Sequence, residues 1–280
     1  FRSTDYGKTW IKSPTGVPNP GAEINSLVYC GNGIALAGSG YSNAGDGDIY
    51  RSTDYGQTWT KIYDSTTLKN ILSLVYCGDG IVLAGSGSNT GEGDVYRSTD
   101  FGQNWTKIEM GSDLERIYSF AYCGGGIVVA GAGAGSSDGD VYRSTDFGQN
   151  WTKIEMGATY DSILSLAYCD NGIVLAGSGS QTGDADIFKS TDYGQTWTNV
   201  TDGSYQESVS EVNTAFQTIE SLLYCGNGIV LAGGGNTLLK GDVFRSDVGF
   251  SQASTVQSIH HQNVTGNIGI PEAYSSTSTI

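Results

Sequence analysis

The chain has 280 residues, of which 42 are glycine and 4 are proline, and its formal net charge is −15. This length allows one or two domains with a large core, and glycine without a collagen-like triplet indicates many turns. Six of the fourteen basic residues occupy one repeated position, so no basic patch is predicted and nucleic acid is not an expected partner. No run of 18 apolar residues occurs, so no membrane span is predicted.

A nine-residue motif opens the chain and returns along it. It reads RSTDYGKTW at 2–10, RSTDYGQTW at 51–59, RSTDFGQNW at 97–105 and 143–151, and KSTDYGQTW at 189–197, with a degenerate copy, FRSDVGF, at 244–250. The serines of the first five copies are separated by 49, 46, 46 and 46 residues. A period in the mid-forties is typical of a four-stranded propeller blade.

The segments between the motifs read as strands, and no segment has helical periodicity. In one unit, ILSLVYC, IVLAGSG, DVYRSTD and NWTKIE are predicted as four consecutive antiparallel strands joined by glycine-rich turns. Residues 1–12 supply only a third and a fourth strand, and the fifth unit begins at 219 with a poorly marked fourth strand near 250–254. The four complete units are predicted at 25–63, 71–109, 117–155 and 163–200. The predicted fold is therefore an all-β propeller of four-stranded blades.

Six blades are expected, with five or seven as alternatives. The propeller is assigned to residues 1–254 and a C-terminal tail to 255–280. The tail segment 255–270 can be aligned with 218–233, which suggests that it completes the first blade or adds strands to a neighbouring subunit. Either arrangement would cover strand edges that native folds avoid exposing.

Each copy of the motif contains the residues of a tight turn. The aspartate can accept hydrogen bonds from backbone N–H groups further along the turn, the glycine supplies a positive φ, and the tryptophan ring covers the turn. These roles explain the spacing without a substrate. The residues assigned to them are Asp5, Asp54, Asp100, Asp146 and Asp192, with Trp10, Trp59, Trp105, Trp151 and Trp197.

The motif resembles the Asp-box, or BNR repeat, S-x-D-x-G-x-T-W, over most of residues 1–250. The resemblance implies a β-propeller in which the Asp-box is a structural turn on the outer part of each blade. Propellers of this superfamily include sialidases, xyloglucan-degrading glycosidases, sortilin-type receptors, a photosystem assembly factor and lectins. The motif thus indicates the fold and leaves the activity open.

The sequence argues against an enzyme. The resemblance implies that sialidases of this superfamily hold a substrate carboxylate with three arginines, whereas five of the six arginines here precede an Asp-box serine and only Arg116 could lie near an innermost strand. A two-carboxylate glycosidase needs one asymmetric site, and these units are close to copies of one another. The carboxylates that could serve one are Asp113, Glu115, Asp161, Glu207 and Glu211, for which solvated loop positions are the simpler interpretation.

Most of the 29 carboxylates fall in the loops that join second to third strands and fourth to first strands. The second-to-third loops repeat an acidic pattern on glycine-rich backbone, which suits weak Ca²⁺ binding, with solvated acidic loops as the alternative. No other cofactor is predicted. The possible calcium ligands are Asp46, Asp48, Glu92, Asp94, Asp138, Asp140, Asp184 and Asp186.

Five cysteines occur once per unit at the end of an apolar run, which favours small buried hydrophobic residues over disulfides or metal ligands. The near-identical units favour a non-enzymatic, acidic, extracellular or cell- or virion-surface propeller, acting as a scaffold, an adhesin or an assembling appendage subunit. Its expected partners are copies of itself, or surface glycan or protein. A multivalent lectin and an Asp-box glycosidase are the alternatives. The repeated aromatics Tyr50, Tyr96, Tyr142 and Phe188 fall within strands, which suits packing better than glycan binding.

Overall fold

The structure is a computed structural model that describes most of the chain. The described residues are 1–13, 23–40, 47–64, 69–88, 93–108, 110, 115–133, 139–156, 162–179, 185–200, 218–235, 241–245 and 257–258. They form five four-stranded antiparallel sheets, each with its strands in chain order. Within these ranges, no helix is long and apolar enough to cross a membrane.

The strands of the first three sheets follow the predicted units closely. Sheet 1 contains β1 (Glu23–Gly31), β2 (Ile34–Gly40), β3 (Asp48–Ser52) and β4 (Thr60–Asp64). Sheet 2 contains β5 (Asn70–Gly78), β6 (Ile81–Gly87), β7 (Val95–Ser98) and β8 (Thr106–Ile108). Sheet 3 contains β9 (Arg116–Gly124), β10 (Ile127–Gly133), β11 (Val141–Ser144) and β12 (Thr152–Ile154).

The last two sheets repeat the same order. Sheet 4 contains β13 (Ile163–Tyr168), β14 (Val174–Ser178), β15 (Ile187–Ser190) and β16 (Thr198–Asn199). Sheet 5 contains β17 (Thr218–Gly226), β18 (Ile229–Gly235), β19 (Gly241–Arg245) and β20 (Gln257–Ser258). The all-β fold of four-stranded blades is confirmed, whereas the expected number of six blades stays a prediction.

The fourth strand of sheet 5 comes from later in the chain than expected. β20 pairs with β19 through Phe244 opposite Ser258 and Arg245 opposite Gln257, whereas the sequence suggested a strand near 250–254, which lies outside the described residues. Two residues assigned to the tail therefore belong to the last sheet. The alignment of 255–270 with a first strand is wrong at these two positions, because their backbone pairs at the outer edge of a blade. The division at residue 254 is otherwise untested.

Each sheet packs on the next through its first two strands. The first strands, β1, β5, β9, β13 and β17, lie side by side in chain order. The second strands of sheets 2, 3 and 4 are almost entirely buried because both of their faces contact a neighbouring layer, as the continuous apolar run IVLAGSG of β6 illustrates. Each apolar cluster contains residues from two consecutive sheets: Leu36 and Ile49 of sheet 1, for example, pack with Ile71 and Val82 of sheet 2.

One close contact recurs at every junction between sheets. A glycine in the second strand faces an isoleucine at the start of the next sheet, and a Cβ added to Gly38 would lie 2.5 Å from Ile71 Cγ2. The corresponding distances are 2.6 Å for Gly85 and Ile117, 2.7 Å for Gly131 and Ile163, and 2.5 Å for Gly177 and Ile219. No side chain fits between these atoms, so glycine is required by contact rather than by a positive φ.

Residues 1–13 form a hairpin that continues the row of sheets in front of sheet 1. Arg2 and Ile11 exchange backbone hydrogen bonds of 2.7 and 2.9 Å. Arg2 Nε also donates to the Tyr55 carbonyl oxygen at 2.8 Å, just as Arg51 Nε donates to the Phe101 carbonyl oxygen of the following sheet at 2.8 Å. The hairpin therefore occupies the place of the outer half of a preceding blade, in agreement with the two strands predicted there.

The five cysteines are all free thiols, and four of them are buried at junctions. Burial raises the pKa of Cys30 to about 11 and that of Cys77 to about 12. The predicted role as small buried hydrophobic residues holds for these and for Cys123 and Cys169. It fails for Cys225, which is exposed because it lies on the outward face of sheet 5, where none of the described residues covers it.

We predict that the recurring glycine contact controls stability. Gly85→Ala should destabilise the protein by about 1–3 kcal/mol, since the added methyl overpacks against Ile117. Gly233, the equivalent residue of sheet 5, is the matched control: only Ser221 lies within 4 Å of an added Cβ among the described residues. Chemical unfolding of both variants measures the difference, and equal losses would contradict the assignment.

Candidate functional site

The Asp-box turns form closed networks of hydrogen bonds. At the second copy, Asp54 Oδ1 accepts from the Thr58 backbone N–H at 2.9 Å and Asp54 Oδ2 from the Thr58 hydroxyl at 2.6 Å. The Ser52 hydroxyl donates to Asp54 Oδ1 at 2.8 Å and accepts from the Gly56 N–H at 2.8 Å. The same pattern recurs at Asp5, Asp100, Asp146 and Asp192. Every one of these carboxylates accepts hydrogen bonds within its own turn, and the structural role assigned to them stays a prediction.

The backbone of each turn needs two consecutive residues with positive φ. The aromatic residue before the glycine has a φ of 58° at Tyr55 and 57° at Phe101, and the following Gly56 and Gly102 have 79° and 78°. The glycine was expected to supply this geometry, but nothing in the sequence pattern indicated the left-handed aromatic residue. The tryptophan closes the turn as expected, since Trp105 Nε1 donates to the Gly102 carbonyl oxygen at 3.0 Å.

Hydrogen bonding favours the charged form of these aspartates. The hydroxyl and backbone N–H of Thr58 lower the pKa of Asp54 from 3.8 to about 2. At Asp192 burial opposes the charge, but hydrogen bonds from Thr196 and Ser190 still lower its pKa to about 2. A depressed pKa stabilises the fold above the ordinary pKa of the group, and this contribution is lost as the pH falls through about 2.

The acidic second-to-third loops end in buried carboxylates paired with lysines. Asp48 Oδ1 lies 3.0 Å from Lys61 Nζ, Asp94 Oδ1 lies 3.1 Å from Lys107 Nζ, and Asp140 Oδ2 lies 2.8 Å from Lys153 Nζ. Lys69 also contacts Asp94. The simple alternative of solvated loop charges is therefore wrong for these aspartates, because the sheets bury them and lysines from the fourth strands neutralise them.

The third sheet places a second carboxylate in this network. Glu115, at the position that Lys69 occupies one sheet earlier, is buried, and its Oε1 lies 3.1 Å from Lys153 Nζ. Burial raises the pKa of Glu115 to about 7, and the nearby charge of Asp140 adds to the effect against the attraction of Lys153. The expectation of a solvated loop carboxylate is wrong here. The other carboxylates named for a glycosidase lie outside the described residues.

The structure describes four of the eight possible calcium ligands. Asp48, Asp94, Asp140 and Asp186 are buried, whereas Asp46, Glu92, Asp138 and Asp184 lie outside the described residues. Within the described part of the chain, no group of three or more metal-ligating side chains converges. Lysine ammonium groups contact the aspartates of the first three loops, and Ca²⁺ binding by these loops stays a prediction.

Arg116 lies on a first strand, as expected for the one arginine outside the repeated position. Its Nε donates to the Ser88 carbonyl oxygen at 2.6 Å, and its Nη1 lies 3.4 Å from the Tyr118 hydroxyl. The repeated arginines instead bond carbonyl oxygens of the next Asp-box: Arg97 Nε donates to Phe147 and Arg143 Nε to Tyr193. They join sheets and do not converge on a common point.

Apolar side chains are exposed on the outward faces of sheets 1 and 5, at the two ends of the row of sheets. The equivalent side chains at the junctions between consecutive sheets are buried or partly buried. We call the face that a sheet turns towards the preceding sheet its leading face, and the opposite face its trailing face. The leading face of sheet 1 contains Ile24, Leu27 and Tyr29, which are 41%, 66% and 55% exposed. The trailing face of sheet 5 contains Leu223, Cys225, Gly233 and Val243, with Leu223 60% exposed. At internal junctions these two kinds of face pack on each other, so each end is half of a complete junction. The ends are the best candidate binding surfaces of the described residues.

Comparisons with known proteins agree with this geometry. A family model described as "Sortilin, neurotensin receptor 3" matches residues 47–159 and 93–226, and the model "BNR-Asp box repeat" matches residues 1–13. No curated protein matches the chain. Together with the five sheets and their turns, these matches define an Asp-box β-propeller. The chain belongs to the Asp-box (BNR repeat) β-propeller superfamily.

Solved structures share the fold at low sequence identity. YCF48 bound to D1 peptide is 18% identical with a TM-score of 0.55, over 85% of this chain and 65% of that one, so the chain spans slightly less than two thirds of it. YCF48 from Cyanidioschyzon merolae is 14% identical with a TM-score of 0.56, over 88% and 73% of the two chains. Trypanosoma rangeli sialidase in complex with 2,3-difluorosialic acid is 14% identical with a TM-score of 0.52, over 80% and 46%.

We predict that Asp100 stabilises its turn. Asp100→Ala should lower the free energy of unfolding by about 1–2 kcal/mol, because it leaves several turn donors without their acceptor. Asp100→Asn, which keeps one acceptor oxygen, should cost less. Urea unfolding measures both. An Asp100→Ala protein of unchanged stability would contradict the structural assignment.

The buried Glu115 should make stability depend on pH. Its pKa is raised above the usual 4.5 to about 7, so its contribution is fully present below pH 4.5 and is lost as the pH rises through 7. Glu115→Gln should remove a decline of roughly 1–3 kcal/mol between pH 4.5 and 8. The exposed Glu155, 3.8 Å from the same lysine, supplies the control Glu155→Gln. Parallel pH profiles of wild type and Glu115→Gln would contradict the prediction.

Proposed function

We propose that this protein is a non-enzymatic, extracellular Asp-box propeller that acts as a scaffold and associates with protein through its two exposed ends. The observation that carries the proposal is the pair of exposed apolar faces, since clustered large apolar side chains on a surface mark interaction sites. Leu27 and Tyr29 at one end are 66% and 55% exposed, and Leu223 and Val243 at the other end are 60% and 51% exposed.

The arrangement of charged groups supports a non-enzymatic role. The Asp-box carboxylates are saturated by their own turns, and the described arginines at the repeated position serve as links between sheets. The buried Glu115 and Asp140 share one lysine, and their burial denies them contact with a polysaccharide chain. The likeness to the sialidase, at 14% identity, concerns the fold alone.

Protein is favoured over glycan as the partner. The repeated aromatics Tyr50, Tyr96, Tyr142 and Phe188 are buried within the sheets and cannot stack on a sugar. The solved YCF48 structure contains a bound peptide, which supports a protein ligand for a propeller of this kind. A lectin function would need exposed aromatic side chains repeated along the sheets, whereas among the described residues Tyr6, Trp10 and Tyr55 are exposed at one end of the row.

Sedimentation velocity over about 1–100 µM tests the proposal, a range that covers the affinities of transient protein contacts. We expect the wild type to associate as its concentration rises, and Leu27→Glu or Leu223→Glu to weaken association by about tenfold or more, since each places a charge in an apolar contact. Thr60→Glu, an equal charge at an exposed position of the outer strand of sheet 1, is the matched control.

Three results would overturn the proposal. A monomer at all concentrations, for wild type and variants alike, would remove the association. Turnover of any glycoside in a hydrolysis screen, if lost on substitution of Glu115 by Gln, would make the protein an enzyme instead. Selective capture of glycans on an array, unaffected by either leucine variant, would favour the lectin alternative.

A further inference from the structure

We propose that the side chains of Lys153 and Asp140 become joined by an isopeptide bond, which forms inside sheet 3 with Glu115 as the proton carrier. The inference goes beyond the proposed function, because it concerns a covalent modification that the chain performs on itself. The three side chains come from separate parts of one blade: Glu115 directly precedes β9, Asp140 directly precedes β11, and Lys153 lies on β12.

The lysine nitrogen contacts both carboxyl groups. Lys153 Nζ lies 2.8 Å from Asp140 Oδ2 and donates a hydrogen bond of 3.1 Å to Glu115 Oε1. Because Oδ2 is bonded to Cγ, the nitrogen lies beside the carbon atom that it would attack. Holding reacting groups together in this way removes much of the entropic cost of bringing them to each other.

The two carboxyl groups are buried and incompletely hydrogen-bonded. Asp140 and Glu115 are 2% and 6% exposed. Within the described part of the chain, Asp140 Oδ2 and Glu115 Oε2 are buried oxygens that accept no hydrogen bond. An ionised oxygen in such surroundings is costly. Conversion of the Asp140 carboxylate and the Lys153 ammonium into a neutral amide removes both charges, which favours the bond.

Glu115 is suited to carry the protons that the reaction must move. Burial raises the pKa of Glu115 to about 7 against the hydrogen bond from Lys153, and the charge of Asp140 adds to the rise. A carboxyl group with a pKa near neutrality both accepts and returns a proton. This transfer is needed because the contacts of Lys153 with Asp140 and Glu115 raise the pKa of its ammonium, although burial opposes the charge.

The reaction balances without an oxidant or a reductant. Lys153 Nζ passes one proton through Glu115 to Asp140 Oδ2 and attacks Cγ as a neutral amine. Asp140 Oδ1 takes the negative charge of the tetrahedral intermediate and accepts a hydrogen bond from the Met156 N–H at 3.3 Å. A second proton then passes from Nζ through Glu115 to Oδ2, the Cγ–Oδ2 bond breaks, and Oδ2 leaves as water. One ammonium and one carboxylate thus become one secondary amide and one water molecule.

Sheet 2 contains the same pair without the proton carrier. Asp94 Oδ1 lies 3.1 Å from Lys107 Nζ, but Lys69 takes the place that Glu115 has in sheet 3, and it also contacts Asp94. A second ammonium cannot accept a proton, and its charge favours the ionised form of the aspartate. Sheet 2 is therefore an internal control in which no bond is expected.

Sheets 1 and 4 each lack one of the three groups. In sheet 1, Asp48 Oδ1 lies 3.0 Å from Lys61 Nζ, but the residue two before the first-strand isoleucine is Ala22. In sheet 4, the residue that corresponds to Lys153 is Asn199, which has no amine. The bond is therefore expected once in the described chain, in sheet 3.

The bond would attach the outermost strand of this blade covalently. β12 is only three residues long, and Lys153 at its centre pairs with Tyr142 of β11. A link from residue 153 to residue 140 closes a loop that contains the whole Asp-box turn. The short strand would then stay beside β11 even when its backbone hydrogen bonds open.

Mass spectrometry of the full 280-residue chain is the first measurement. We expect the purified protein, after incubation near neutral pH, to be lighter than its sequence by one water molecule. Trypsin cuts after lysine and arginine, so it should spare Lys153 and leave residues 117–143 joined to residues 144–189. Fragmentation of this branched peptide should place the link between Asp140 and Lys153.

Three variants separate the roles of the groups. Glu115→Gln removes the proton carrier and keeps its size, and Lys153→Arg removes the amine and keeps its charge, so both proteins should have the full mass. Lys107→Arg, the same change in sheet 2, is the matched control and should still lose water. A cooperative thermal transition shows that each variant folds. Wild-type protein isolated in urea and never refolded should have the full mass and lose water only after refolding.

A different reaction with the same mass change must be separated from this one. Asp138 precedes Gly139 in the sequence, and an Asp-Gly pair also loses water when it closes to a cyclic imide. Hydroxylamine cleaves the imide and leaves an isopeptide amide intact. Three outcomes would overturn the inference: a wild type of full mass, a loss of water that hydroxylamine removes, or the same link formed equally fast in Glu115→Gln.

Discussion

The structure depends on the contact between a second-strand glycine and the isoleucine that starts the next sheet. At Gly38, Gly85, Gly131 and Gly177 the two backbones approach so closely that a side chain on the first would collide with the second. Dense packing of this kind fixes the angle and distance between layers, because neither a larger nor a smaller residue keeps both surfaces in contact. Four nearly identical contacts therefore give four nearly identical steps around the axis.

Hydrogen bonds on the outer part of the sheets stabilise the same distance and angle between consecutive sheets. Arg51 and Arg97 each reach a carbonyl oxygen of the following Asp-box, and the Asp-box in turn holds its own strand ends by hydrogen bonds from serine and threonine. The apolar contacts of the inner strands and the hydrogen bonds of the outer strands thus stabilise the same packing of consecutive sheets. At sheet 1 the N-terminal hairpin keeps the arginine contact through Arg2 and Tyr55, whereas the first-strand residues Ile24 and Leu27 are exposed.

Much of this could be predicted from the sequence. The 46-residue period, the alternation of strands and turns, and the chemistry of Asp, Gly and Trp in the motif are local features, and the structure bears out the fold they predicted. The role of Glu115 could not be predicted. Its partners Asp140 and Lys153 lie more than twenty residues further along the chain, and a single sequence with acidic, glycine-rich loops does not distinguish a buried carboxylate from a solvated one.

The five thiols at the ends of the first strands have the same local sequence but different neighbours. Cys30, Cys77, Cys123 and Cys169 are each covered by an adjoining sheet, and Cys225 is not. Since thiolate formation governs the reactivity of cysteine, the buried four are protected from electrophiles and oxidants, while the fifth is open to them. The reactivity of each cysteine therefore reports whether another sheet covers its own sheet. Alkylation of Cys225 would show that the face of sheet 5 is accessible to solvent.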